Sequence, residues 1–342
     1  MDPCDIRSIE GICYSMKFLM QIIDDERYSA ISDDDKFSYI SDRIRAIHTD
    51  IIRGNYATYE IYLIIKGAIR FYSLYSFKIN NENYKFAKEQ LRQWILTLQD
   101  YYNHVDISEF GEDEETAQYE LVHSQLEDIL ERILFLDEID INALLPEIFS
   151  LLDNEILEEN EANEIEEDIL GLSEIVCALK KCEYTRVKNI ITNCFPVTVH
   201  NLVIHALFRM KLIDMRHAVF RKWARSNFPN FDIPISYVTE VLMYDNEDEC
   251  IEDIVSCKLD IKESMKDGKQ MQSFIPKMFD ERDCLLIARN KSQQILQLLE
   301  SDKLKDEGLQ DMGWGEYFYT FEEDYEDDDE DYDGDDDIIE DD

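Results

Sequence analysis

The stretch Lys36-Phe-Ser-Tyr-Ile-Ser-Asp-Arg-Ile-Arg-Ala-Ile-His-Thr-Asp50 decides the fold. Phe37, Ile40, Ile44, Ile47 and, one residue further, Ile51 recur at spacings of three and four, which makes one apolar stripe on a helix. Arg43 and Asp50 stand two turns apart on one shoulder of that stripe and Arg45 on the other. Guanidinium and carboxylate groups at the edge of a core suit cross-bracing of neighbouring helices. No nucleophile or general base is arranged there, so the stretch predicts scaffold and not chemistry.

Outward from it the same pattern repeats. Residues 5–23 predict a first helix with Ile12, Met16, Leu19 and Ile23 on one side. Ser32-Asp-Asp-Asp35 suits a helix N-terminus. Residues 56–77 predict an aromatic helix whose most apolar part, Ile61–Arg70, is broken by Lys66 and Arg70, as in a buried helix and not a membrane span. Asn81-Glu-Asn83 opens a helix repeating Ala87, Leu91, Trp94, Leu98 and Tyr101. After the acidic loop 112–115 come Tyr119, Val122, Leu126, Ile129, Ile133 and Leu136, then helices at 141–158 and 162–180. Ten glycines and six prolines in 342 residues are below average usage of about 7% and 5%. Successive amphipathic helices with short polar breaks predict a mostly α, helical-repeat solenoid.

From about residue 180 the pattern changes. Helices are expected at 184–195 and 197–210, followed by Met215–Arg225, which Pro229 and Pro234 end. Ile235–Tyr244, the polar turn Asp245-Asn246 and Glu247–Ser256 read as helix, turn and helix, with strands at 258–261, 269–275 and 284–288. That order is the outline of a winged helix. Residues 289–304 predict a last helix. The expected divisions are therefore 1–180 for the solenoid, 181–290 for further helices and the winged helix, and 291–342 for a terminal helix and a disordered acidic tail.

The net charge is −43, and the last 22 residues hold sixteen acids and no base. Taking those sixteen charges away leaves −27 on residues 1–320, so the body repels nucleic acid unless a local patch overrides it. One patch exists: Arg209, Lys211, Arg216, Arg221, Lys222 and Arg225, with His217 among them and Asp214 as the only opposing charge. Six bases in seventeen residues can follow a phosphate backbone or pair with the acidic body or a partner. The acidic helix 248–256 argues against base-specific readout and for a protein partner, with Trp223, Met243 and Tyr244 as candidate contacts. The tail interleaves Trp314, Tyr317, Phe318, Tyr319, Phe321, Tyr325 and Tyr332 with acids, and suits a solvated tail or a segment that folds into a basic groove, the chain's own basic helix included.

Catalytic motifs are missing. There is no Walker loop, GxSxG, HExxH or GxGxxG, and no nucleophile–base–orienter set. His200 and His205, near Cys194, sit where core histidines are expected. None of the eight cysteines forms a CxxC pair, and Cys177/Cys182 and Cys250/Cys257 lack common zinc spacings. No metal or cofactor is expected, and with no secretory signal the thiols are expected to be reduced.

These blocks carry a resemblance. Residues 2 to about 262 resemble the Sac-three/GANP family of PCI-type scaffolds. The family signature, an aromatic, then Asp-Arg-x-Arg-x-Ile-x-x-Asp, is matched by Phe37 or Tyr39 and by Asp42, Arg43, Arg45, Ile47 and Asp50. Arg70-Phe71-Tyr72, Asn81–Leu98, the basic helix Met215–Arg225 and the helix-turn-helix follow in the family's order. The chain departs from it at His48-Thr49, where the family has Lys, and in lacking Phe-Gly repeats and the full C-terminal anchoring helix. The resemblance implies a non-catalytic scaffold of a nuclear messenger-RNA export complex, located in the nucleus and at the nuclear pore. The implied assembly is a hetero-oligomer off the membrane, with a second PCI-domain protein, a small acidic subunit, and RNA or DNA held without sequence specificity. Alternatives are a PCI subunit of another assembly such as the proteasome lid, or a centrosome- or splicing-related member of the family. An acidic chaperone-like binder would rest on the tail alone.

Overall fold

The computed structural model describes residues 6–79, 81–111, 113–135, 148–152, 159–194, 202–225, 232–257, 259, 261–266 and 269–274, and these are mostly α-helical. Most of the helix expected at 141–158, the strand at 284–288, the helix at 289–304 and the acidic tail lie outside the described residues.

Helix α1 (Ile9–Asp24) starts at Ser8, whose hydroxyl accepts the Gly11 N–H at 3.2 Å. Helix α2 (Asp33–Gly54) starts at Ser32, which accepts the Asp35 N–H at 3.2 Å, and has three acids in its first turn. Both caps satisfy donors that a helix start leaves unpaired. Asn55, at φ 49° in the left-handed region, closes α2 by giving its N–H to the carbonyls of Ile51 and Ile52. Phe37, Ile40, Ile44, Ile47 and Ile51 are all buried, as the spacing requires.

That stripe meets α3 (Tyr59–Leu74), which is buried on nearly every face, and α4 (Asn81–Tyr101). Phe37 is the hub: its ring lies 5.7 Å from Phe71, 6.2 Å from Tyr75 and 6.4 Å from Phe86, so one side chain ties three helices together. Offset and edge-on pairs of this kind add to the area they bury. His48 bonds Thr97 at 2.7 Å and lies 4.5 Å from the Trp94 ring, joining α2 to α4; burial lowers its pKa.

Next come α5 (Glu114–Phe135), α6 (Glu159–Lys181), α7 (Tyr184–Cys194) and α8 (Leu202–Arg225). Neighbours in sequence pack together: α1 on α2, α3 on α4, α5 on α6, α6 on α7. One correction concerns α8. The helices expected to end at 210 and begin again at 215 are one continuous helix. Nothing between Leu202 and Arg225 breaks it: no Gly or Pro intervenes, and Asp214 projects outward to Lys88 Nζ at 2.9 Å. Helix α8 packs against α3, α5 and α6, so its sequence is apolar on most faces and lacks the one-sided stripe of a surface helix.

After α8 the chain forms β1 (Ile233–Pro234), α9 (Ile235–Val241), α10 (Glu247–Ser256), β2 (Ile261–Lys266) and β3 (Lys269–Phe274). The strands make one antiparallel sheet in the order β1-β3-β2, with Ile233 and Ile261 both opposite Phe274. The first hairpin strand begins at Ile261, later than the expected 258–261. Strand β1 was not expected at all: two residues are too few to show alternation, and it exists because β3 has an edge to pair. Among the described residues no helix is long and apolar enough to cross a membrane.

Candidate docking module and its buried charge network

Helices α9 and α10 are short, and their apolar faces are narrow. Ile235, Val238 and Leu242 on one side and Cys250 and Ile254 on the other are buried, and the two helices pack on each other and on the sheet. A seven-residue helix ends with several carbonyls unpaired. Met243, at φ 56°, turns the chain there. Two arginines from α8 fill the gap. Arg216 Nε donates to the Leu242 carbonyl at 2.9 Å, and a second Arg216 nitrogen donates to the Met243 carbonyl. Arg209 donates to the same Met243 carbonyl at 2.8 Å.

The start of α10 is tied to the same arginines. The Asn246 side chain caps the helix by accepting the Glu249 N–H at 2.8 Å, and Glu249 accepts the Asp245 N–H at 2.9 Å. This is the logic of a capping box. Glu249 also receives Arg216 at 3.2 Å, and Asp245 receives Arg209 at 3.1 Å. The Arg216 guanidinium lies 3.7 Å from the centre of the Tyr244 ring, in cation–π range. Tyr244 donates to Asp253 at 2.5 Å, and the other Asp253 oxygen lies 3.1 Å from His217 Nε2. Burial alone would raise the Asp253 carboxyl; the His217 hydrogen bond and charge, then Tyr244 and Arg216, hold it below its ordinary value. Burial pushes the Cys250 thiol up to about 12, which makes it an inert core thiol.

The expected cationic stripe is therefore redistributed. Arg216 is 4% exposed and Lys211 8%, and Arg209 is turned in toward Asp245. Arg209 and Arg216 brace the module, and buried groups such as these are poorly placed to follow a phosphate backbone. Arg221 is half-buried. Lys222 is exposed, with its ammonium 2.6 Å from the Lys181 carbonyl at the end of α6. Arg225 is the last residue of α8, and its side chain is not described. Tyr244 is buried, and Trp223 is half-buried against Tyr184 and Phe220, so neither is a free contact.

The exposed side of α10 is acidic and apolar instead. Glu247, Asp248 and Glu252 are exposed on α10, and Val255 beside them is 57% exposed. Tyr237 on α9 is 47% exposed. These two apolar residues were missed, yet the signal existed: Cys250, Ile254 and Cys257 mark the buried side of α10, and Val255 falls off that stripe.

The signature residues divide likewise. Asp50 is buried and accepts Arg7 at 2.8 Å, tying α2 to the segment before α1. Arg45 reaches the Phe86 ring at 5.8 Å, from α2 to α4. Arg43 is exposed and lies over Tyr39 of its own helix at 5.5 Å, and Asp42 is exposed. The cross-brace is thus Asp50 and Arg45, without Arg43 or Asp42.

A second buried charge centre joins α3 to α5. Lys66 Nζ lies 2.5 Å from Asp128 and 2.8 Å from Glu131, and Tyr102 donates to the other oxygen of Asp128. Burial alone would lower the Lys66 pKa, but the two carboxylates raise it well above its ordinary value. A polar cavity of about 320 Å³ beside it is lined by Tyr59, Tyr62, Lys66, Arg70, Tyr119 and Glu127, among others. Of the histidines considered as chemical groups, His205 is buried in α8, and His200 lies outside the described residues.

No curated protein matches the chain. The family model of the SAC3/GANP family matches residues 1–263 of the 342, from before α1 into β2. The chain belongs to the SAC3/GANP family.

Proposed function

We propose that this protein is a non-catalytic scaffold of a nuclear messenger-RNA export complex, working in the nucleus and at the nuclear pore. In this reading α9, α10 and the β-hairpin act as a winged helix that pairs edge to edge with a second PCI-domain protein. A small acidic subunit completes the hetero-oligomer, the helices from α1 to α6 form the solenoid that holds the docking head rigid, and α7 and α8 belong with the winged helix. One observation carries the reading beyond family membership. Arg209 and Arg216 of α8 are used inside the module, while α10 presents Glu247, Asp248 and Glu252 around Val255; Tyr237 of α9, beside Tyr184 of α7, is a second exposed apolar side chain. An acidic rim around apolar side chains fits a protein partner and disfavours phosphate.

The test is affinity purification of the full chain, as wild type and as the Tyr237→Asp/Val255→Asp double variant. Both positions are exposed, so the fold should survive. Wild type should retain a second PCI-domain protein and nuclear RNA, and the variant should lose the PCI protein. Retention of proteasome-lid subunits instead, or equal recovery by both forms, contradicts the proposal.

Nucleic acid is held in this reading by the outer end of α8, without base readout. Lys222→Ala and Arg225→Ala should each lower the slope of log affinity against log salt by about one, similarly for unrelated sequences. An unchanged slope removes these residues from the nucleic-acid surface.

A further inference from the structure

The charge network joining α8 to α10 contains a set of side chains that bracing alone does not require. His217 of α8, Asp253 of α10 and Cys257, the residue that ends α10, each offer a ligand atom, and the three atoms lie within 4.8 Å of one another. Asp253 and Cys257 are four residues apart and so emerge on the same side of the helix. His217 comes from the helix packed opposite. His217 is 4% exposed and Cys257 2%, so bulk water is kept out.

Geometry and charge suit a divalent metal. Nitrogen and oxygen ligands about 2.0–2.1 Å from tetrahedral zinc stand roughly 3.3 Å apart. The His217 Nε2 to Asp253 oxygen separation is 3.1 Å, so that pair is nearly in place before any metal enters. The sulfur lies within 4.8 Å of both and would have to close to about 3.5 Å of them around tetrahedral zinc. The carboxylate and a deprotonated thiol supply two negative charges, which balance a doubly charged ion. Arg216, the nearest cation in the network, is already matched by Glu249 at 3.2 Å. Tyr244 donates to one Asp253 oxygen at 2.5 Å, and the Ser256 hydroxyl is 3.4 Å from the other. Such outer contacts orient ligating carboxylates. Beside Asp253, on the side of Arg216, Tyr244, Glu252 and Ser256, a cavity of about 20 Å³ has room for one water, which would hydrate the carboxylate.

We propose that His217, Asp253 and Cys257 bind one zinc ion, which clamps α10 onto α8. Thiolate, imidazole and carboxylate together select zinc or a similar transition metal over calcium and magnesium. The role is structural: the ion fixes the angle of the helix that carries the docking face. The clamp does not depend on which partner docks there.

The chain's acidic composition makes bulk metal uptake a poor readout, so the experiment follows the thiolate. The full chain is stripped with a chelator and titrated with Zn²⁺ against a chromophoric competitor, then with Co²⁺ while the sulfur-to-cobalt charge-transfer absorption is recorded. One tight equivalent and a thiolate band are expected for wild type, with a zinc-dependent rise in melting temperature. Cys257→Ser and His217→Gln should each weaken binding by more than the roughly 10–100-fold typical of losing an outer-shell partner. Cys250→Ser should leave the band intact, since Cys250 faces the core of the module. The absence of a tight equivalent or of the band in wild type overturns the site, a result that needs no variant to fold. A band that survives Cys257→Ser also overturns it.

Discussion

Replacing Lys66 with methionine should destabilise the protein by about 3–5 kcal/mol, the usual cost of leaving a buried charge without its partner. Lys66 sits between Asp128 and Glu131, which are 0% and 7% exposed. Without it, two carboxylates share a buried site, and like charges so placed cannot both ionise cheaply. One of them must take up a proton. Burial already raises the Glu131 pKa with Lys66 present, so the variant raises it further. A carboxyl whose folded pKa exceeds its unfolded value contributes stability below the unfolded pKa and loses it as pH rises through the folded one. Lys66→Met should therefore be least stable at neutral pH and regain stability on acidification toward the carboxylate range. Adding Asp128→Asn and Glu131→Gln to Lys66→Met should restore most of the loss at neutral pH, because no uncompensated charge remains. Denaturant melts across pH measure all three forms; a Lys66→Met protein with unchanged, pH-independent stability refutes this assignment.

Arg216→Ala should cost a similar amount, again about 3–5 kcal/mol, but its effect should be local. The guanidinium serves two backbone carbonyls, Glu249 and the Tyr244 ring. Removing it leaves the carbonyls of Leu242 and Met243 with less of their bonding and Glu249 without its nearest cation. Burial already raises the Glu249 pKa, and loss of Arg216 raises it further. Hydrogen exchange should accelerate in α9 and α10 while α2 and α3 keep wild-type protection. Uniform acceleration, or none, contradicts the view that α8 holds the docking module through its arginines. The variant is also a warning for charge-reversal studies: loss of nucleic-acid binding on altering Arg216 reports an unfastened module and not a lost phosphate contact.

How far the sequence carried is clearest in α2. Its stripe, its Ser32 start and its buried face were all legible, because local spacing and a local cap decide them. The family signature was legible as a motif, but not which members reach another element (Asp50 to Arg7, Arg45 to Phe86) and which stays on its own helix (Arg43 over Tyr39), since that depends on Arg7 and Phe86 lying opposite. The basic helix shows the same limit more sharply. Counting charges on Arg209, Lys211 and Arg216 gives a cationic surface only if the helix is at the surface. Helix α8 packs against α3, α5 and α6, so these charges turn inward, and Arg209 and Arg216 become internal fasteners. Lys66 showed as a break in an apolar run, but its partners are 62 and 65 residues away. The His217, Asp253 and Cys257 cluster leaves no such mark in the sequence, because common zinc spacings join cysteines along the chain and here one thiol meets an imidazole from another helix.

In the proposed assembly the acidic face of α10, centred on Val255, meets a second PCI-domain protein. Cross-linking mass spectrometry of the complex purified on the full chain, with a carboxylate-to-amine reagent, tests it most directly. The expected result is cross-links from Glu247, Asp248 or Glu252 to lysines of a PCI-domain partner. Cross-links to that partner confined to α1–α4, with those three carboxylates unreacted, contradict the account.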